Sequence, residues 1–196
     1  MLLIGIPLVI VVAVVVLAAV VASGRLIIPG LSGRVYPIKY ESDIKTVAGK
    51  YGIDPYLLSA VARTESGFRP EAKSGDGALG LMQLLPSTAK WVTGLDSWKG
   101  PKDPVLTDPA DSLELGACYL AYLGQRFDNP TAMIAAYNAG PNKVASWIIK
   151  AGGSASFSAA NIEFSETKEF VRRVNHWRAL FKKAHPNAFT TSTTGS

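Results

Sequence analysis

Cysteine and histidine are scarce in this sequence, whose 196 residues include one cysteine and two histidines. A single cysteine excludes a disulfide framework within one chain. Cys118 lies in the apolar stretch LGACYLAYL, where a buried thiol is expected. His176 and His185 have no sequence neighbours that would complete a metal site or a nucleophilic triad. The sequence therefore predicts no metal site and no cofactor.

Charged residues are absent from the beginning of the chain, where Arg25 is the first Lys, Arg, Asp or Glu. The run from Leu2 to Val21 is interrupted only by a glycine and a proline. About 20 apolar residues cross a bilayer as a helix, whereas a cleaved signal sequence has a hydrophobic region of about 7 to 15. Residues 1–24 are therefore predicted to be an uncleaved transmembrane anchor. Small residues at 22–24 leave cleavage and secretion as the alternative.

Positive charge is only slightly in excess, with 20 Lys and Arg against 15 Asp and Glu and no clustered basic run. A net charge of +5 spread in this way does not indicate a nucleic-acid partner. Residues 25–39 are rich in Gly, Pro and Ser and are predicted to be a linker. Basic residues follow the predicted anchor but do not precede it, so the positive-inside rule alone would place the main domain in the cytoplasm.

Sustained alternation of apolar and polar residues is also missing, so little or no β-sheet is expected. Capping residues followed by proline, as at Asp54, Asp108 and Asn129, instead mark the beginnings of helices. The predicted helices span 41–50, 54–65, 86–93, 109–126, 130–138, 141–150 and 165–183. The sequence thus predicts a mainly helical domain over 40–184, followed by a disordered Ser/Thr-rich tail over 185–196.

Glu65 stands out because it ends an apolar helical stripe. Leu58, Val61 and Glu65 are spaced by three and then four residues, which places the carboxyl on the face that should meet the core. Burying a charge is costly, so Glu65 is either an acid needed for chemistry or an ordinary helix-end residue that turns to water. Burial would favour its protonated form, as a general acid requires.

Three further segments are informative about function when they are considered together with Glu65. They are KSGDGALGLMQLLPSTA at 73–89, AAYNAGP at 135–141 and FSETKEFVRRV at 164–174. Each alone has an ordinary explanation: a glycine-rich loop, a helix end and the first turn of a helix. In order and spacing, however, they resemble the motifs of the soluble lytic transglycosylases, the SLT-type members of the lysozyme-like superfamily. The resemblance covers about residues 40–182 and is strongest to small membrane-anchored members from Gram-positive bacteria.

The resemblance implies a lysozyme-like helical domain of the goose-type or SLT kind, with Glu65 as its sole catalytic acid and base. It implies cleavage of the β-1,4 bond between N-acetylmuramic acid and N-acetylglucosamine in peptidoglycan, with a 1,6-anhydromuramoyl product. Such an enzyme would be a single-pass membrane protein with its domain on the cell-wall side, acting on glycan strands. The substrate-binding residues carried over are Ser66, Ser74, Met82, Gln83, Tyr137, Asn138, Glu166 and Phe170.

Two alternatives stay open at this stage: a muramidase that hydrolyses the same bond, and a catalytically weak wall-binding or scaffold module. Hydrolysis normally needs a second carboxylate, and Glu71, Asp76 and Asp96 lie in no recognisable motif. The sequence also departs from the family pattern at Phe170, where relatives usually have tyrosine. Of the tryptophans, Trp98 lies in an irregular segment beside two lysines and is the candidate for a glycan contact.

Overall fold

The computed structural model describes Val20 and residues 35–190. The α-helices of the domain are α1 (Glu41–Tyr51), α2 (Pro55–Glu65), α3 (Pro86–Val92), α4 (Pro109–Arg126), α5 (Pro130–Ala139), α6 (Pro141–Lys150) and α7 (Ser165–Ala184). Two 3-10 turns, Ser154–Ser156 and Ala159–Asn161, connect α6 to α7.

The prediction of a mainly helical fold without a sheet is confirmed for the described residues. In those residues β-type pairing is limited to two isolated bridges, one between Leu79 and Lys73 and one between Leu79 and Leu84. Helix beginnings follow the predicted capping chemistry: the Asp54 carboxylate accepts from the backbone N–H of Tyr56 at 3.0 Å, and Asp108 accepts from two N–H groups at the beginning of α4. These caps satisfy donors that a helix leaves without a partner.

Helix α2 forms the centre of the domain and carries Glu65 at its last position. Leu58, Val61 and Ala62 are fully buried. Helix α7 packs along α2 over the longest contact, and α1 and α4 cover other sides. Because α2 is enclosed by these neighbours, the position of Glu65 is fixed by core packing.

The chain after α7 differs from the prediction. Residues 185–190 form turns that pack on the domain, although the sequence analysis placed them in a disordered tail. The Phe189 ring meets the Tyr56 ring edge-on at 4.9 Å between centroids, and Lys45 donates to the Thr190 carbonyl at 2.8 Å. Phe189 thus gives the first residues of the Ser/Thr-rich tail an apolar contact with the domain. The rest of that tail, 191–196, lies outside the described residues.

No helix within the described residues is long and apolar enough to cross a membrane. The predicted anchor at 1–24 lies outside those residues apart from Val20, and only 35–39 of the predicted linker is described. At the end of that segment Tyr36 is buried, and its backbone carbonyl lies 2.7 Å from Nε2 of His185. The chain entering the domain is therefore attached to the end of α7.

The loop between α2 and α3 depends on a close approach at Gly80. Its φ is +79°, and a Cβ added there would lie 1.8 Å from the Leu106 carbonyl oxygen. Gly77 in the same loop has a φ of +86°, but a Cβ added to it would meet nothing within 4 Å. The two glycines share a left-handed backbone and differ in the space around them.

We therefore expect Gly80→Ala to be much more destabilising than Gly77→Ala. The Gly77 variant should lose about 1 kcal/mol of unfolding free energy from backbone strain alone, whereas the Gly80 variant must also displace the backbone near Leu106. Urea unfolding of both variants measures the difference. Equal losses would show that the close approach at Gly80 contributes nothing to stability.

Candidate active site

A cleft of about 570 Å³ opens at the end of α2, bounded by the α2–α3 loop, α3, Tyr119 of α4, the C-terminal end of α5 and the beginning of α7. Most of the predicted site residues meet here although they come from distant parts of the chain. Those that line the cleft are Glu65, Ser74, Gln83, Tyr137, Asn138 and Glu166.

Glu65 is partly buried in this cleft. Burial raises the pKa of its carboxyl from 4.5 to about 8; the positive charge of Arg173 acts to lower it, and the negative charge of Glu166 raises it further. No hydrogen bond within the described part of the chain engages the Glu65 carboxyl oxygens. The group is therefore protonated at neutral pH and can donate its proton to a ligand in the cleft.

Tyr137 fixes the wall beside Glu65. Its hydroxyl donates to the Met82 carbonyl at 2.8 Å, which ties α5 to the α2–α3 loop. Burial raises the pKa of Tyr137 well above its ordinary value, and the negative charge of a nearby ionised Glu65 acts in the same direction. The tyrosine thus stays neutral and keeps its hydrogen bond whenever the cleft is intact.

Gln83 occupies a strained position in the α2–α3 loop, which also lines the cleft. Its φ is +47°, a left-handed conformation that is unfavourable for a residue with a side chain. Its side-chain nitrogen donates to the carbonyls of Ala72 and Gly80, both at 2.9 Å. These bonds hold the amide in one orientation and leave its oxygen as an acceptor. Strain of this kind is common at binding sites, where the surrounding structure maintains it.

Further polar groups are oriented by local hydrogen bonds. The Ser74 hydroxyl accepts from the Ala78 N–H at 3.0 Å, so its own hydrogen remains available to a ligand. The Thr167 hydroxyl donates to Oδ1 of Asn138 at 2.6 Å, joining α7 to α5. Because Oδ1 is engaged, the Asn138 side chain presents its N–H groups as donors. The cleft therefore combines donors and acceptors around one protonated carboxyl.

Three residues predicted to bind substrate, Ser66, Met82 and Phe170, do not line the cleft. Ser66 is buried and its hydroxyl donates to the carbonyls of Ala62 and Leu81. The fully buried Met82 side chain packs on α4, where a Cβ added to Gly116 would lie 2.4 Å from its Cε. These residues support the cleft from behind, because their side chains point into the core.

Phe170 forms a second layer behind Tyr137. The two rings stack with an interplanar angle of 5° and centroids 6.3 Å apart. Phe170 is only 7% exposed, and its ring supports that of Tyr137. Phe170 thus keeps the ring packing of the tyrosine expected from the family pattern and lacks its hydroxyl.

Several lining residues were not predicted as site residues, namely Asp76, Leu85, Thr88, Tyr119, Phe164 and Thr167. Asp76 lies within the segment 73–89 but was assigned no role there, and Tyr119 lies in the apolar helix that was interpreted as core. Thr167 was assigned to the first turn of a helix, a position that α7 confirms. The Trp98 indole donates to the Pro101 carbonyl at 3.1 Å and packs within its own loop, away from the cleft.

Comparison with known families finds a match over most of the domain. The sequence model of the transglycosylase SLT domain matches residues 42–159, a range that includes Glu65 and the whole α2–α3 loop. The chain belongs to the transglycosylase SLT domain family. The resemblance drawn from the sequence motifs is therefore confirmed, and so is the lysozyme-like helical architecture expected from it.

Relatives in this family are lytic transglycosylases from several bacteria. The chain is 35% identical over 151 residues to the soluble lytic murein transglycosylase of Escherichia coli K12, an alignment covering 75% of this chain and 23% of the relative. It is 39% identical over 116 residues to the membrane-bound lytic murein transglycosylase C of Serratia proteamaculans, covering 54% and 32%. The chain thus matches about a quarter to a third of the length of these relatives.

Solved structures of SLT enzymes have the same fold. The 70 kDa soluble lytic transglycosylase of Escherichia coli superposes with a TM-score of 0.70 at 33% identity, covering 83% of this chain and 27% of that one. The lytic transglycosylase Slt of Pseudomonas aeruginosa, solved as an inactive mutant, superposes with a TM-score of 0.69 at 28% identity, covering 81% and 26%.

The raised pKa of Glu65 has a consequence for stability. Between the ordinary pKa of 4.5 and about 8 the folded chain holds the Glu65 proton more tightly than the unfolded chain. The contribution of Glu65 to the free energy of unfolding is therefore fully present below pH 4.5 and is lost as the pH rises to about 8. Glu65→Gln, which cannot ionise, should raise the melting temperature by several degrees near pH 8 and change it little near pH 4.

Thermal unfolding followed by circular dichroism at both pH values measures this effect. Glu71→Gln is the matched control, since Glu71 is exposed and lies outside the cleft; it should melt like the parent at both pH values. A Glu65 variant that is equally destabilised at both would indicate that the carboxyl makes a structural contact.

Proposed function

We propose that this chain is a peptidoglycan lytic transglycosylase. It would cleave the β-1,4 bond between N-acetylmuramic acid and N-acetylglucosamine and form a 1,6-anhydromuramoyl end. The observation that carries the proposal is the Glu65 carboxyl, which lies in a cleft lined by polar groups. Burial raises its pKa to about 8, so that the group is protonated at neutral pH. The names of the relatives support the same activity.

In the first step Glu65 acts as a general acid. Its proton passes to the glycosidic oxygen, and the bond between that oxygen and C1 of the muramic acid breaks. The electron pair leaves with the N-acetylglucosamine oxygen, so positive charge develops at C1. The acetamido oxygen of the muramic acid itself stabilises this centre, and the protein therefore needs no nucleophilic carboxylate. Glu65 ends the step ionised.

In the second step the same carboxylate acts as a general base. Glu65 removes the proton from the C6 hydroxyl of the muramic acid, and O6 forms a bond to C1 that closes the anhydro ring. Glu65 is then protonated again, as it was before the first step, and no water is consumed. A pKa near 8 suits this double role, because the acid is protonated at neutral pH and recovers its proton at the end of each turnover.

The other lining groups would orient the sugars. Asn138 offers N–H donors and Gln83 an acceptor oxygen, which match the acetamido and hydroxyl groups of the substrate. Tyr137 would act as a positioning residue, since its hydroxyl holds the Met82 carbonyl and its ring rests on Phe170. Ser74 would donate its hydroxyl hydrogen from the α2–α3 loop.

Hydrolysis of the same bond is the second candidate, because two more carboxyl groups, those of Asp76 and Glu166, line the cleft with Glu65. Ordinary glycosidases pair an acid with a second carboxylate that attacks C1 or activates water. If either residue did so here, the product would end in a reducing sugar and would be heavier than the anhydro product by one water.

We further propose that residues 1–24 anchor the enzyme in the membrane, with its domain on the cell-wall side. The uncharged apolar run from Leu2 to Val21 has the length of a membrane-spanning helix. The membrane-bound relative from Serratia supports membrane association. The substrate supports the orientation, since peptidoglycan lies outside the cytoplasmic membrane, and this argument outweighs the basic residues that follow the run.

Carboxylate variants distinguish the two chemistries. Glu65→Gln should abolish cleavage of purified sacculi while the circular-dichroism spectrum stays that of the parent. Asp76→Asn and Glu166→Gln are isosteric controls in the same cleft; both should keep activity within about tenfold and still release anhydro products in mass spectrometry. Loss of activity in either control, or products carrying one extra water, would support hydrolysis with that residue as the second carboxylate.

The location is tested by reporter fusions after Ser196. A reporter that is active only outside the cytoplasm should give signal in the full chain and lose it when residues 1–24 are deleted. A reporter active only in the cytoplasm should show the reverse pattern. Signal from the cytoplasmic reporter alone in the full chain would contradict a cell-wall enzyme.

A further inference from the structure

Trp91 is an exposed aromatic residue close to the cleft. It is 44% exposed on α3, a large apolar area for a side chain that is usually buried. The chain's other tryptophans are more protected: Trp147 is 2% exposed, and Trp98 and Trp177 are partly buried. The Trp91 ring is therefore accessible to a ligand.

The surface around Trp91 continues the wall of the cleft. Thr88 lines the cleft, and Trp91 follows it by one helical turn, about 4.5 Å further along the same face of α3. The Trp91 ring meets the ring of Tyr119 edge-on at 6.1 Å between centroids, and Tyr119 also lines the cleft. A ligand that fills the cleft and extends past Thr88 and Tyr119 would therefore reach Trp91.

Tyr122 completes an aromatic corner with Trp91. The two rings meet edge-to-face at 4.7 Å between centroids. The Tyr122 hydroxyl accepts from Arg126 at 3.0 Å, and Arg126 also donates to Oδ1 of Asn142 at 3.1 Å. The tyrosine is thus held in place, and its own hydroxyl hydrogen can donate to a ligand. The corner offers an apolar ring surface and a polar edge side by side.

We propose that Trp91 and Tyr122, here called the aromatic corner, form a distal subsite for an N-acetylated sugar of the glycan strand. A pyranose ring has the matching chemistry, because its C–H groups present an apolar face and its hydroxyl and acetamido groups a polar edge. The assignment rests on the proposed function. Its occupant is a sugar of the same strand that passes Glu65, since the corner is continuous with that cleft.

The subsite would make cleavage depend on strand length. A short fragment fills the cleft at Glu65 and gains nothing from the aromatic corner. A longer strand also contacts Trp91, and stacking on a fixed aromatic ring adds binding free energy at little entropic cost. The enzyme would therefore bind strands of several disaccharides more tightly than single disaccharides.

The test uses the full chain with Glu65→Gln, which holds glycans without cleaving them. Calorimetry compares its binding of a single peptidoglycan disaccharide with its binding of a trimer of that disaccharide. Adding Trp91→Leu, which keeps apolar volume but removes the ring, should weaken trimer binding about tenfold and leave disaccharide binding unchanged. Trp98→Leu is the matched control and should change neither affinity. Circular dichroism verifies the fold of each variant.

A second variant guards against loss of packing at Trp91. Tyr122→Phe keeps the ring and removes only the hydroxyl, so it should weaken trimer binding severalfold without disturbing the fold. If folded Trp91→Leu binds the trimer as tightly as its parent, the assignment of the aromatic corner as a subsite is overturned, and the proposed function remains intact. Absence of glycan binding in the Glu65→Gln parent, with no cleavage by the unmodified chain, would overturn the proposed function itself and the subsite with it.

Discussion

The chemistry proposed for the cleft depends on withdrawing one carboxyl group from most of its contact with water. Glu65 stands at the end of α2, where α7, α5 and the α2–α3 loop meet, and its burial raises its pKa to about 8. Burial of an ionisable group costs stability, so the surrounding packing must hold it in place. Helix α2 supplies that support, because Leu58 and Val61 are fully buried and α7 packs along its length.

The walls of the cleft are held by buried hydrogen bonds to the backbone of one loop. Ser66 donates to the Leu81 carbonyl, Tyr137 donates to the Met82 carbonyl, and Ser112 accepts from the Met82 N–H. Each bond comes from a different helix or helix end. The loop that carries Gln83 is therefore fixed relative to Glu65 before any ligand arrives, and this preorganisation favours chemistry in which one group must serve as acid and base.

Much of this arrangement could be predicted from the sequence. The proline-initiated helices and the apolar stripe ending at Glu65 depend on local spacing, and both are confirmed by α2 and its neighbours. The direction of individual side chains could not be predicted in the same way. Ser66 and Met82 adjoin residues of the cleft, yet their side chains point inward because the backbone turns at Gly67 and Gln83, both of which have positive φ. Asp76 reaches the cleft only through the fold of its loop.

The proposed mechanism requires that Glu65 is protonated at neutral pH. Carbon-13 NMR of the chain labelled at glutamate carboxyl carbons tests it directly, with the Glu65→Gln variant identifying the Glu65 signal by its loss. This signal is expected to titrate with a midpoint near 8, well separated from the ordinary glutamates. A midpoint near 4.5, the ordinary value, would show that Glu65 is ionised at neutral pH and would contradict its role as a general acid.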